Sequence, residues 1–221
     1  MRSEHESLTD NETWSLVARP TDKRILSGKW IYKLKRGLSS GEVLRYKAHW
    51  VVRGFEQTEG TDYNETFASV VKPMSYKFAI AAALDLELEQ MDVKTAFLYG
   101  DIDGEVYVEQ PPEFDDGTGL VCKLNKALYG LKQAPTIWYQ TLATYLEALG
   151  FHPLTSDVGI FVKGHTYIAV YVGDLLIAGP SKEEIQELKN ALIYHTERSS
   201  CLPLQTAGLK RRESLWLMWP T

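Results

Sequence analysis

Two aspartates stand where an unpaired carboxylate is costly. Asp92 sits near the end of the extended run Leu88 to Val93, and Asp174 follows Gly173 inside the otherwise apolar stretch Tyr167 to Ala178. A carboxylate flanked by buried strands has to be paired or hold a cation. If the two strands are neighbours, the carboxylates converge at one sheet edge, a site suited to Mg²⁺ with one or two carboxylates plus phosphate oxygens. The plainer alternative is that Asp174 completes a Gly-Asp hairpin turn and Asp92 caps a following helical turn. A second candidate group is cationic: Arg45, Lys47, His49 and Arg53 recur on one side of an alternating run and match phosphate. Its plainer alternative is the solvated outer face of an antiparallel pair.

The elements that must position these residues follow from periodicity. Lys29 to Arg36 alternates, with Trp30, Tyr32 and Leu34 on one face; Gly37 to Gly41 carries turn residues. A second alternating run then sets Leu44, Tyr46, Ala48, Trp50 and Val52 inward, so the pattern predicts a β-hairpin with one apolar and one cationic face. Pro73 and Ser75 open a predicted helix to about Leu86, and Leu88 to Val93 reads as a short strand. Val106 to Val108 and Val121 to Leu124 read as extended pieces. From Pro135, the set Trp138, Leu142, Tyr145, Leu146 and Leu149 recurs every three or four residues and stops at Gly150, predicting an amphipathic helix with a glycine cap. Ile160 to Val162 and Tyr167 to Ala178 read as strands with a tight turn at Gly173 and Asp174. Ser181 and Glu184 form a capping box that opens a helix to about Leu192.

The 221 residues, 44 % of them hydrophobic and 11 % aromatic, are enough for one globular domain with an appended subdomain. The formal charge is −5, yet residues 23 to 53 hold Lys23, Arg24, Lys29, Lys33, Lys35, Arg36, Arg45, Lys47 and Arg53 against Glu42 alone. The acidity therefore lies elsewhere, and the N-terminal third is basic. Cys122 and Cys201 have no spacing that makes a zinc site or disulfide framework. No run approaches the roughly 18 apolar residues of a membrane span, and the opening residues carry no signal peptide, so an intracellular location is expected, cytoplasmic or nuclear.

The ordered blocks KWIYKLKR, RYKAHWVVRGFEQTEGTDYNETFASVV, LEQMDVKTAFLYGDIDGEVYVEQPPEF, VCKLNKALYGLKQAPTIWY and YVGDLLIAG resemble the copia-type retrotransposon reverse transcriptase domain, over about residues 12 to 192. The resemblance implies an α+β fold, a polymerase right hand with a fingers hairpin and a palm of antiparallel strands backed by helices. It implies that Asp92 and Asp174 are catalytic and bind two Mg²⁺ ions with the backbone carbonyl of Val93. It further implies that Phe97 closes the space beside the sugar 2′ position and that Gly130 and Gln133 to Pro135 support the incoming nucleotide and template base. Arg45, Lys47 and Arg53 would hold the triphosphate and template phosphates, with Lys47 favoured. The implied partners are an RNA or DNA template-primer and deoxynucleoside triphosphates, joined when a primer 3′-hydroxyl attacks the α-phosphorus.

Departures from the family pattern set the remaining expectations. The family's YVDD reads Tyr171, Val172, Gly173, Asp174, so one metal-binding carboxylate is missing. His49 and Trp50 stand where the family has Arg and Leu, and Thr136 replaces an Arg. The expected organisation is a flexible N-terminus at 1–11, fingers at about 23–73 and palm at about 74–192 within a 12–192 domain, and an unrelated, disordered tail at 193–221. The expected function is that of a truncated reverse transcriptase domain from a retrotransposon polyprotein, lacking the thumb and inactive because of Gly173. The alternatives are a residually active polymerase fragment, a non-catalytic remnant that binds nucleic acid, and a relic with no cellular role.

Overall fold

The computed structural model describes residues 1–36, 42–64 and 85–198. In chain order its elements are α1 (Arg2–Asp10), β1 (Trp14–Val17), β2 (Ile25–Leu26), β3 (Gly28–Arg36), β4 (Val43–Val52), β5 (Glu87–Asp92), β6 (Tyr107–Val108) and β7 (Val121–Leu124). Then follow α2 (Ala134–Ala148), β8 (His152–Leu154), β9 (Asp157–Lys163), β10 (Thr166–Tyr171), β11 (Asp174–Gly179) and α3 (Lys182–Arg198). The fold class is α+β. The described residues form two compact units, one from residues 1–36, 42–64 and Thr95–Tyr145, the other from residues 85–94 and Leu146–Arg198.

In the first unit a four-stranded sheet runs in the order β1-β7-β6-β2, antiparallel except for the β2–β6 pair. Leu26, Val108, Val121, Leu124 and Leu128 form its buried interior. Cys122 is buried there as a free thiol. Burial pushes its pKa up to about 12, with Glu109 and Asp116 adding to the effect; such a thiol is inert as a nucleophile. Cys201 lies outside the described residues.

Within residues 1–11, expected as a flexible N-terminus, Arg2–Asp10 form the helix α1. Leu8 is buried, His5 stacks on Phe114 with centroids 4.0 Å apart, and the Glu4 carboxylate lies 3.1 Å from His49 Nδ1 on β4. A single leucine and two polar partners carry that docking, too few to leave an apolar period in the sequence.

The anticipated hairpin forms, with Trp30 opposite Trp50, Tyr32 opposite Ala48 and Leu34 opposite Tyr46. Its apolar face is only half inward. Trp50 and Val52 are buried at the base, whereas Tyr32, Leu34, Leu44 and Tyr46 are 63 %, 47 %, 69 % and 77 % exposed. Alternation states that residues share a face; a two-stranded ribbon supplies no layer to cover it.

In the second unit five antiparallel strands run in the order β5-β11-β10-β9-β8. β8 had no signature in the sequence, where Pro153 argues against a strand; it is an edge strand, where proline is tolerated. α3 covers one face of the sheet. Ile185, Leu175 and Ile177 are fully buried, Lys189 pairs with Glu89 of β5, and a side chain on Gly179 would come within 3.0 Å of Ile185. The N-cap bond of the anticipated capping box forms, as the Glu184 N–H donates to Ser181 Oγ at 3.2 Å. α3 continues to Arg198, past the anticipated end near Leu192 and into the segment expected to be a disordered tail. Residues 199–221 lie outside the described residues.

The glycine stop of α2 also forms. Gly150 has φ +85°, and the N–H groups of Phe151 and Gly150 donate to Leu146 and Glu147 carbonyls at 3.0 and 2.9 Å, the pairing that closes a helix end. The helix anticipated from Pro73 falls in 65–84, outside the described residues, and Asp85 is already a turn. No helix among the described residues is long and apolar enough to cross a membrane.

The buried interior of the second unit gives a direct test. Phe161 is 0 % exposed, so Phe161→Ala is expected to cost about 3–5 kcal/mol. Ser181→Ala removes only a helix cap and is expected to cost about 1 kcal/mol. Urea unfolding of the two variants checks both magnitudes and their order.

Candidate functional site

β5 and β11 pair so that Asp92 lies directly opposite Asp174, followed by Met91 with Leu175 and Gln90 with Leu176. Residues facing each other across an antiparallel pair project from the same face with Cβ atoms about 4.5–5.5 Å apart. Both aspartates are exposed, on the face away from α3. The Val93 N–H donates to the Gly173 carbonyl oxygen at 2.7 Å, and Gln90 Nε2 donates to Asp174 Oδ1 at 3.1 Å. The carboxylates therefore converge, and the Gly173 backbone is tied to the residue after Asp92.

The turn differs from the sequence reading. Tyr171 pairs with Asp174, leaving Val172 and Gly173 as the two turn residues and Asp174 as the first residue of a strand. Val172 takes φ +52°, an unusual conformation for a β-branched side chain and one that costs on the order of 1–3 kcal/mol. The sequence draws the eye to Gly173 as the turn former, but the left-handed residue is the valine beside it. No group of three or more His, Cys, Asp or Glu side chains that could hold a metal ion is present among the described residues.

The remaining candidates lie in the first unit. Lys47 lies opposite Lys33 in the hairpin register. Arg45 and Arg53 are exposed and Lys47 is half-buried. Beyond β4 the chain is pinned back: Arg53 N–H donates to the Ser27 carbonyl at 2.9 Å, and Glu56 accepts from the Ser27 N–H and hydroxyl at 2.8 and 2.7 Å. Those two hydrogen bonds, the backbone one foremost, hold the Glu56 carboxyl below its ordinary value of 4.5.

Phe97 is buried in a short 3-10 turn and meets Tyr129 edge-on, with centroids 4.8 Å apart. Gly130 has φ +94°, and a side chain there would lie 2.0 Å from the Val52 carbonyl oxygen. Its bareness thus serves the protein's own backbone; a side chain on Gly54 would likewise lie 2.0 Å from the Gly130 carbonyl oxygen. Gln133 is buried, accepting from Gln57 Nε2 at 2.9 Å and donating to the Asp62 carbonyl at 3.2 Å. Gln57 is the residue that sequence reasoning missed. It lies within the quoted GFEQ segment, but a buried amide has no periodic signature.

The family description Reverse transcriptase (RNA-dependent DNA polymerase) matches residues 11–205. The chain belongs to the reverse transcriptase family. It is 44 % identical, over 98 % of its own length, to the Retrovirus-related Pol polyprotein from transposon TNT 1-94 of Nicotiana tabacum. Against the corresponding polyprotein from transposon RE1 of Arabidopsis thaliana it is 43 % identical over 81 % of its length, and against the Transposon Ty1-DR4 Gag-Pol polyprotein of Saccharomyces cerevisiae 29 % over 76 %. The chain spans 17 %, 13 % and 10 % of those three polyproteins. The family match extends beyond the 12–192 range that the motifs alone suggested, and reaches into the segment expected to be unrelated.

The three residues expected to depart from the family pattern have visible local settings. His49 faces Glu4; Trp50 is buried against Gly28, where any side chain would lie 2.2 Å from its ring. Thr136 Oγ1 is buried without a hydrogen-bond partner, an arrangement that costs about 1–3 kcal/mol.

The Glu56 clasp predicts a pH dependence. A carboxyl whose pKa is depressed by folding stabilises the fold above its unfolded value and loses that contribution as pH falls through the folded one. Stability should therefore decline as pH drops below 4.5. Glu56→Gln is expected to cost about 1–3 kcal/mol at pH 7 and to flatten this acid limb, as measured by urea midpoints from pH 7 to pH 3.

Proposed function

We propose that this chain is the fingers and palm of an RNA-directed DNA polymerase of retrotransposon origin, with catalysis impaired at Gly173. The observation that carries the proposal is the register of Asp92 against Asp174, with a glycine at the position between Val172 and Asp174. On this reading the β3–β4 hairpin belongs to the fingers and the five-stranded sheet backed by α3 is the palm. Asp92 and Asp174 offer exposed, hard oxygen donors, which suits one divalent cation completed by phosphate oxygens. A second ion would lack the carboxylate absent at Gly173. When bound, such an ion supplies charge neutralisation at phosphate and lowers the pKa of an attacking hydroxyl.

The chain's own residues have separate tasks in this reading. Asp92 and Asp174 supply negative charge, and Gln90 orients Asp174 through the 3.1 Å hydrogen bond. The Val93 carbonyl is a further oxygen donor. Phe97, held by Tyr129, bounds the sugar pocket, and Gly130 and Gln133 shape the surface under the nucleotide. Arg45, Lys47 and Arg53 hold phosphates. A second reading, nucleic-acid binding without catalysis, is favoured by the basic run of residues 23 to 53, in which nine lysines and arginines stand against Glu42 alone.

Primer extension on a homopolymer template with magnesium or manganese separates the readings. The chain is expected to extend poorly, and Gly173→Asp to raise the rate by about a thousandfold, equivalent to roughly 4 kcal/mol of transition-state stabilisation. No gain on restoring the carboxylate, or extension by the parent equal to that of a competent polymerase, contradicts the assignment of the defect to Gly173. Incorporation that persists in Asp92→Ala contradicts the metal site. Template-primer binding should weaken with salt, and replacing Arg45, Lys47 or Arg53 singly by alanine should reduce the log–log slope by about one.

A further inference from the structure

We infer that Gln57 is a positioning residue that fixes the orientation of the Gln133 amide in the turn leading into α2, an inference that rests on the polymerase reading above. Gln57 is 6 % exposed and stands 76 residues from Gln133 in sequence. Its Oε1 accepts the Lys132 backbone N–H at 2.8 Å, and its Nε2 donates to Gln133 Oε1 at 2.9 Å. Both ends of the Gln57 amide are thus used on consecutive residues of one turn.

A primary amide has chemically distinct ends, one accepting and one donating. The donor from Gln57 obliges Gln133 to turn its oxygen inward and its NH₂ the other way, where it meets the Asp62 carbonyl oxygen at 3.2 Å. That NH₂ carries two hydrogens and Asp62 takes one. The other is left for an acceptor oxygen of a nucleotide sugar or base.

The same chain segment grips the turn at further points. Lys132 Nζ lies 3.2 Å from the Tyr63 hydroxyl and 5.1 Å from the centre of its ring. Gly54 packs against the Gly130 carbonyl at a separation that admits no side chain. Residues 54 to 63 therefore set the backbone of residues 130 to 133, and within that grip the Gln57 amide and the Asp62 carbonyl together decide which way the Gln133 amide faces.

The test uses the full chain with a dideoxy-terminated primer–template and measures how much complementary deoxynucleotide is needed to protect the complex from a heparin trap. Gln57→Leu removes both hydrogen bonds. Gln57→Glu keeps the acceptor for Lys132 but turns the Gln133 amide round, since a carboxylate can only accept. Both variants are expected to need about tenfold more nucleotide, the worth of one well-placed hydrogen bond, while their affinity for primer–template without nucleotide stays within about twofold of the parent. Gln57→Glu buries a carboxylate and is expected to lower Tm, so the separation from a structural effect rests on the unchanged primer–template affinity.

The inference is overturned if both variants keep the parental nucleotide dependence. It is equally overturned if nucleotide affinity, primer–template affinity and Tm fall together, the pattern of a merely structural residue. A parent that shows no protection by complementary nucleotide overturns the polymerase reading and this inference with it. A responsive parent with unresponsive variants overturns the positioning role alone.

Discussion

Two carboxylates held opposite each other on neighbouring strands repel, and the β5–β11 pairing keeps Asp92 against Asp174 despite that cost. The cost of a like-charged cross-strand pair is about 0.2–1 kcal/mol. Against it stand a ladder that continues back to Gly179 and Glu87, the burial of Met91, Leu175 and Ile177, and the Lys189–Glu89 ion pair on the covered face. The helix side of the sheet secures the strands so that the open side can carry uncompensated charge.

The first unit rests on a different constraint, close backbone approach. Gly54 and Gly130 bring the end of the hairpin and the turn before α2 within a distance that excludes a Cβ, and the Val52 N–H donates to the Tyr129 carbonyl at 2.8 Å. The aromatic contacts of Phe97 and His49 with Tyr129 gather around the same join. A bare backbone there lets side-chain amides reach across, which is how two buried glutamines come to satisfy each other. Had either been left unpaired, burial would have cost about 1–3 kcal/mol per group.

Features with a local period were legible in advance. The alternation of Trp30, Tyr32 and Leu34 gave the hairpin, and the spacing of Trp138, Leu142 and Leu146 gave α2 with its stop at Gly150. Features that depend on a partner elsewhere were not. α1 is held by Leu8, by Glu4 near His49 and by His5 on Phe114, none of which forms a pattern within residues 1–11. The left-handed conformation falls on Val172 beside an available glycine, because the Tyr171–Asp174 pair fixes where the turn begins.

The sequence by itself determined the family and the hairpin, since these are carried by residue types and short-range spacing. Tertiary structure decided that Asp92 lies opposite Asp174 in register, that half of the hairpin's apolar face stays exposed, and that Gln57 meets Gln133. Each of these joins segments far apart in the chain or depends on what a second layer covers, and periodicity records only which side of its own element a residue occupies.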